Sequence, residues 1–148
     1  MLTTVERVIF LQEIDIFEYT STEDLAHIAA ITDEIEIGPD QVIYREGDPP
    51  DAMYIVIEGR VSLTREGQGV IENAKHKDYF GTWALFDDEL RKFTAVTLEQ
   101  SRLLKIEKED FIDLIADHVQ ITQGILKAMA KRQRRLIEIV AKRYPQKT

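Results

Sequence analysis

The spacing of apolar positions changes twice along the chain, and each segment predicts a different secondary structure. In residues 1–32 apolar side chains recur every three to four positions, which is typical of amphipathic helices. From 33 to 106 apolar and polar side chains alternate, as they do in half-buried β-strands. Helical spacing returns over 107–144. The pattern therefore predicts one α+β domain over 1–148, with β-structure between N-terminal and C-terminal helices.

The two N-terminal helices have recognisable start signals. Thr3 and Glu6 have the spacing of a capping box, in which each side chain bonds the backbone of the other residue. Ser21 begins a second stretch of helical spacing. Isolated helices this short are marginal in water. We therefore expect both to pack on a larger body.

The central segment reads as short strands separated by turn residues. Residues 53–57 are a continuous apolar run, short enough for a strand buried on both faces. Gly47 and Gly59 lie in turn sequences, and 66–69 has the composition of a hairpin turn. Short strands at close intervals predict a small antiparallel sandwich or barrel.

The last helical segment is longer and has a second periodicity. Its seam alternates spacings of three and four, as in a coiled coil, and consists of Val119, Thr122, Leu126, Met129, Gln133, Leu136, Val140 and Arg143. Pro145 ends the pattern. One interpretation is a homodimer formed through Leu126, Met129, Leu136 and Val140. The alternative is that the helix lies along its own barrel.

Charge is distributed unevenly. The net charge is −8, yet the chain from Lys127 onward holds eight basic residues and one acidic residue. An acidic body argues against wrapping nucleic acid. The basic tail is interpreted as a solvated helix face, with contact to nucleic acid or acidic lipid as the alternative.

Several classes of protein and site are disfavoured by what the sequence lacks. The chain contains no cysteine, which excludes thiol catalysis, disulfides and cysteine-ligated metals. No apolar run reaches the roughly 20 residues of a membrane span, and no signal peptide is visible. We therefore expect a cytoplasmic protein.

No catalytic or metal-binding pattern is found. His27, His76 and His118 fall in different predicted elements without ligand spacing, so each is expected to be exposed or structural. The chain has no nucleophile elbow, Walker loop or zincin motif. We expect neither an enzyme nor a metal site.

The strongest candidate for a binding site is the segment 79–96. Gly81 precedes a predicted helical turn, and a glycine beside a helix start allows an anion to approach free backbone N–H groups. Arg91 follows ten positions later and would supply a countercharge. The segment therefore predicts a phosphate site between the turn and Arg91. The alternative is a surface connection with an arginine of no special role.

This segment resembles the phosphate-binding cassette of cyclic-nucleotide-binding domains, as in bacterial catabolite activators and regulatory subunits of cyclic-AMP-dependent kinase. The matching residues are Phe80, Gly81, Ala84, Leu85 and Arg91. The glycine turns also match, at Glu46-Gly47-Asp48 and at Tyr54, Gly59 and Val61. Together these motifs extend the resemblance over essentially the whole chain.

The resemblance implies a jelly-roll barrel (a double-stranded β-helix) and a non-catalytic regulatory module. It implies a cyclic nucleotide or another phosphate-bearing ligand, bound by Gly81, Thr82, Trp83, Ala84, Arg91 and Lys92. Catabolite activators carry a helix-turn-helix after the long helix, and this sequence ends there. Direct DNA binding is therefore not expected.

Three positions depart from the cassette. Thr82 replaces the glutamate that accepts a bond from the ribose hydroxyl, Lys92 replaces serine or threonine, and Phe93 replaces alanine. Ala95 stands where valine is frequent, which suggests that Phe93 fills pocket volume while Ala95 compensates. We therefore expect ordinary cyclic-nucleotide binding to be weak or lost. The alternative function is a protein-interaction or dimerisation module without a small-molecule ligand.

Overall fold

The computed structural model describes residues 1–143 of the 148 in the chain. The helices are α1 (Thr4–Leu11), α2 (Thr22–Ala30), α3 (Lys108–Asp117) and α4 (Val119–Arg143). The strands are β1 (Thr32–Ile37), β2 (Val42–Tyr44), β3 (Ala52–Glu58), β4 (Val61–Arg65), β5 (Gly69–Ala74), β6 (Tyr79–Phe80), β7 (Thr94–Thr97) and β8 (Ser101–Glu107). Short 3₁₀ helices cover Asp15–Phe17 and Thr82–Leu85. Residue 144 and the proposed helix stop at Pro145 lie outside the described residues.

The predicted helix starts are confirmed. Thr3 and Glu6 form the complete capping box of α1, with the Glu6 N–H donating to Thr3 Oγ1 and the Thr3 N–H donating to Glu6 Oε1. Ser21 caps α2 by accepting a hydrogen bond from the Asp24 N–H. These bonds satisfy amide groups that a helix cannot satisfy internally.

The strands form two antiparallel sheets of four. The first has the order β1-β8-β3-β6 and the second β2-β7-β4-β5. The predicted antiparallel β-structure with helices at both ends is therefore confirmed. The two sheets are not joined into a closed barrel by strand pairing among the described residues, so closure as a jelly roll is not confirmed.

Two apolar clusters fill the interior, and β3 contributes to both. Met53, Ile55 and Ile57 face a cluster shared with the helices. Tyr54 and Val56 face a second cluster between the sheets. Alternate residues of one strand point to opposite faces, which explains why the run predicted to be buried on both sides is apolar throughout.

The first half of α4 packs on its own domain. Its buried face consists of Ile121, Gly124, Ile125 and Ala128. This buried face differs from the coiled-coil seam that the sequence predicts. Among the seam residues Leu126, Leu136 and Val140 are exposed, and Met129 is partly buried against the helical cluster. None of the helices within residues 1–143 is long and apolar enough to cross a membrane.

Candidate functional site

The turn after β6 is shaped by Gly81. This residue has φ 74°, in the left-handed region that favours glycine, and it precedes the 3₁₀ helix Thr82–Leu85. A Cβ atom at Gly81 would lie 2.8 Å from Arg91 Nη1 and 3.3 Å from the Ala52 carbonyl oxygen. Glycine therefore permits both the turn and the close approach of the arginine.

Arg91 is buried, with 7% of its surface exposed, and its guanidinium has several partners. Nη2 donates to the Ala52 carbonyl at 2.6 Å and to Asp51 Oδ1 at 3.0 Å. Nη1 donates to the Gly81 carbonyl at 3.4 Å. The guanidinium carbon lies 3.9 Å from the centroid of the Tyr44 ring, a cation–π contact. These contacts fix the charge beside the turn.

One donor of Arg91, the Nε–H, lacks a hydrogen-bond partner among residues 1–143. Its Nε–H is buried and makes no hydrogen bond within the described part of the chain. A buried donor without a partner costs about 1–3 kcal/mol. This nitrogen is closed to solvent, so a ligand would reach it only after the side chain moves.

The acidic loop after the turn is paired with other cations. Lys108 Nζ donates to the Asp87 carbonyl and to Asp88 Oδ1, and this bond lowers the pKa of Asp88. Lys92 Nζ lies 3.7 Å from Glu89 Oε2 and forms a salt bridge with it. Arg91 forms its salt bridge with Asp51 and not with an acidic residue of its own loop.

A cavity of about 530 Å³ opens beside the turn. Pockets for small molecules typically measure about 300–1,000 Å³. All six residues predicted for the ligand site line this cavity, namely Gly81, Thr82, Trp83, Ala84, Arg91 and Lys92. Their roles in binding stay a prediction, but the structure places all six around one cavity.

Phe93 also lines the cavity, with its ring centroid 6.2 Å from that of Trp83. Ala95 is fully buried in the cluster between the sheets. The cavity remains open although Phe93 lies on its wall. That Phe93 takes volume which a ligand needs stays a prediction.

Helix α4 also lines the cavity, which the sequence did not predict. Arg132 donates to the Tyr79 hydroxyl at 2.7 Å, and this hydroxyl donates to Asp15 at 2.6 Å. Burial and the bond to Asp15 raise the pKa of Tyr79. Because Tyr79 and Arg132 both line the cavity, this bonded chain links α4 to the strand that leads into the turn.

Two of the three histidines, each expected to be exposed or structural, are neighbours in the fold. His27 in α2 and His118 between α3 and α4 stack with ring centroids 4.1 Å apart. Asp24 lies beside them. No sequence motif points to this cluster, because Asp24 and His27 lie on one helix while His118 is far along the chain. His76 lies elsewhere, with Nδ1 2.6 Å from the Ile57 carbonyl oxygen.

The family model described as "Cyclic nucleotide-binding domain" matches residues 34–118. A CRP-like cAMP-activated global transcriptional regulator of Mycobacterium tuberculosis is 30% identical over 73% of this chain and 51% of its own length. A cAMP-dependent protein kinase regulatory subunit of Aspergillus niger is 31% identical over 72% of this chain and 26% of its own. The chain thus spans about half or less of these relatives.

Solved structures with similar folds are consistent with this family match. The N-terminal domain of a transcriptional regulator from Streptomyces coelicolor A3(2) has a TM-score of 0.78 at 25% identity, covering 86% of this chain and 94% of its own. The regulatory domain of Toxoplasma gondii PKA with cAMP has a TM-score of 0.75 at 20% identity, covering 89% and 50%. The second likeness concerns the fold alone. The matched sequence and the shared fold agree, and this chain belongs to the cyclic nucleotide-binding domain family.

Proposed function

We propose that the chain is a non-catalytic regulatory domain whose cavity takes a phosphate-bearing ligand between the Gly81 turn and Arg91. The observation that carries this proposal is the buried Arg91 guanidinium, which belongs to a residue that lines the cavity beside the Gly81 turn. Its ionic partner Asp51 is 71% exposed at the side chain, so water screens that pair. A phosphate bound beside the guanidinium would supply a second negative charge.

The turn itself adds donors. No backbone hydrogen bond from the Thr82 or Trp83 N–H is present within residues 1–143. These amides begin a helical turn, where free N–H groups favour an anion. The site therefore combines a fixed cation with neutral donors, which is the chemistry of phosphate recognition.

Cyclic nucleotides are the leading ligand class, because the relatives named above include a cAMP-activated regulator. We infer that ordinary cyclic nucleotides bind weakly. Thr82 is shorter than glutamate and uncharged, so a charge-assisted bond to a ribose hydroxyl is lost. Such a bond is worth about 1.5–3 kcal/mol, or roughly one to two decades of affinity.

A substitution at position 82 tests this inference directly. Thr82→Glu restores the acceptor charge, and Thr82→Gln is the matched control with the same reach and no charge. We expect Thr82→Glu to tighten cyclic AMP binding by about tenfold or more over Thr82→Gln. Calorimetry with cyclic AMP, cyclic GMP, cyclic dinucleotides and inorganic phosphate is the measurement. Low-micromolar binding of cyclic AMP by the parent would contradict the loss of affinity.

The anion role of Arg91 needs its own control. Arg91→Gln removes the buried charge, whereas Arg65→Gln removes an exposed charge at the end of β4. We expect phosphate-dependent thermal stabilisation to disappear only in the first variant. Equal stabilisation of both by phosphate would show that Arg91 is solely structural.

A second candidate function is dimerisation or partner binding through α4. It is favoured by the apolar side chains on the second half of the helix, where Leu136 is 55% and Val140 57% exposed. Burying one such side chain contributes about 1.5–3 kcal/mol. Two helices would therefore gain from pairing here, with Leu126 and Met129 extending the contact. The basic residues of this helix repel their copies, so salt should strengthen the dimer.

Light scattering at low and high salt tests the dimer. The double variant Leu126→Glu/Leu136→Glu should be a monomer, whereas Ile112→Glu, an exposed apolar position on α3, should retain the parent mass. A parent that is monomeric at every salt concentration would contradict this second function.

A further inference from the structure

A compact cluster of metal-ligating side chains lies where α2 meets the junction of α3 and α4. Asp24 and His27 project from α2, three residues apart and therefore on one face of the helix. His118 is the residue that joins α3 to α4. One ligand atom from each of the three residues lies within 4.8 Å of the other two.

The carboxylate of Asp24 is buried without a countercharge. Asp24 is 7% exposed and forms no ion pair within residues 1–143. Its Oδ1 accepts one hydrogen bond, from the neutral Gln120 side chain at 3.1 Å. Burying a carboxylate is costly unless a cation or several hydrogen bonds compensate. The cluster therefore has the negative charge that a cation requires.

The position of Asp24 in the first turn of α2 does not account for this orientation. A carboxylate at this position can bond back to the cap residue, as Glu6 does with Thr3 in α1. In α2 only the Ser21 side chain makes a capping bond, and the Asp24 carboxylate turns towards α4 instead. It thereby faces the histidine pair.

The two imidazoles complete the donor set. Their rings stack with an interplanar angle of 25°. The ring nitrogens of His27 and His118 make no hydrogen bond within the described part of the chain. Both rings are partly exposed, so an ion could enter from solvent. Neutral imidazole nitrogens and a carboxylate oxygen suit Zn²⁺ and neighbouring divalent transition metals.

We propose that Asp24, His27 and His118 bind a divalent transition-metal ion, with Zn²⁺ as the first candidate and water in the fourth position. Tetrahedral ligands about 2.0–2.1 Å from zinc lie about 3.3–3.4 Å from one another. The present limit of 4.8 Å requires the ligand atoms to approach by up to about 1.5 Å. Rotation of the histidine side chains supplies this movement, and the stacked rings separate as they turn towards the ion.

The second layer of contacts supports the same assignment. Gln120 holds the Asp24 carboxylate, as outer hydrogen bonds orient metal ligands. The backbone of His118 is held by its N–H to the Leu114 carbonyl and by its own carbonyl to the Ile121 N–H. A bound ion would therefore link α2 to the start of α4.

The chain has three histidines and no cysteine, so few other side chains compete for zinc in a binding experiment. The full chain without an affinity tag is treated with chelator and titrated with Zn²⁺ by calorimetry and thermal shift. We expect one ion per chain and a rise in melting temperature. His118→Gln should weaken Zn²⁺ binding at least tenfold, and the matched control His76→Gln should not.

A measurement on the parent protects the test against misfolded variants. Ring resonances in NMR spectra should move on Zn²⁺ addition for two histidines, while those of His76 remain. Asp24→Asn keeps a side-chain oxygen for Gln120 and removes the charge, so it should weaken binding without unfolding α2. Absent Zn²⁺ binding in the parent, or equal perturbation of all three rings, would overturn the proposal.

Discussion

Gly81→Ala should lower the stability of the domain and remove anion binding together. The added methyl group would lie 2.8 Å from Arg91 Nη1 and 3.3 Å from the Ala52 carbonyl oxygen. Cβ atoms in protein structures essentially never lie within 3.0 Å of another non-bonded heavy atom. Because the carbonyl belongs to strand β3, the guanidinium is the group that must move. Its bonds to Ala52 and Asp51 would lengthen.

Gly67→Ala is the matched control for the backbone. Gly67 has φ 79° and Gly81 has φ 74°, so alanine carries a similar left-handed penalty of about 1–2 kcal/mol at both positions. Within residues 1–143, no heavy atom other than those of Gly67 and its two chain neighbours lies within 4 Å of a Cβ at Gly67. The difference between the two variants therefore isolates the displacement of Arg91.

The size of that difference follows from the bonds at risk. The Arg91 bond to the Ala52 carbonyl is charge-assisted and buried, and such a bond contributes about 1.5–3 kcal/mol. The ion pair with exposed Asp51 adds about 0–1 kcal/mol. We expect Gly81→Ala to lose about 1–3 kcal/mol more than Gly67→Ala.

Denaturant unfolding followed by circular dichroism measures this difference. Thermal unfolding gives a second readout, at about 2–4 °C per kcal/mol for a chain of this size. Calorimetry with phosphate then compares the folded variants. Equal losses of stability in the two variants, with phosphate binding retained in both, would refute the reasoning.

Three further predictions concern the helix, the ion pair of β1 and the cavity wall. Gly124→Ala would place a methyl group 2.8 Å from the Tyr19 carbonyl oxygen. The free energy of unfolding should therefore fall by at least about 1 kcal/mol, although alanine has the better helix propensity. The control Gln123→Ala, at an exposed helix position, should not lower it. Burial tends to raise the pKa of Glu34, but bonds from the Leu2 N–H and Arg102 outweigh it and hold the pKa below 4.5. The stabilisation by Glu34 is therefore full above pH 4.5 and lost as pH falls through the lower folded value, so the destabilisation by Glu34→Gln, about 1–3 kcal/mol at neutral pH, should shrink in acid. Phe93→Ala should widen the cavity and tighten cyclic AMP binding in calorimetry, at a stability cost of about 1–3 kcal/mol because the ring is only partly buried; unchanged affinity would show that the ring takes no volume from the ligand.

The local sequence determined the helix starts, the strand pattern and the turn. Thr3 and Glu6 predict a capping box because both partners lie within one helical turn. The apolar run in β3 predicts a strand buried on both faces, because residue alternation is a property of the extended backbone. Gly81 and Arg91 identify the candidate site because the family cassette is a continuous segment.

Tertiary structure decided which distant residues meet. The ionic partner of Arg91 is Asp51, forty residues earlier, rather than the acids of its own loop. The buried face of α4 begins at Ile121 and includes Gly124, because the close approach of the Tyr19 carbonyl requires a residue without a side chain. Sequence periodicity marks apolar positions but does not state which of two apolar faces finds a partner.

The histidine cluster shows the same limit most clearly. His27 and His118 are separated by the whole β-structure, and their contact arises from the packing of α2 against the junction of α3 and α4. A metal motif is visible in a sequence when its ligands share a helix or a turn. Here one helix supplies two side chains of the proposed site and a distant junction supplies the third, so only the folded chain brings them together.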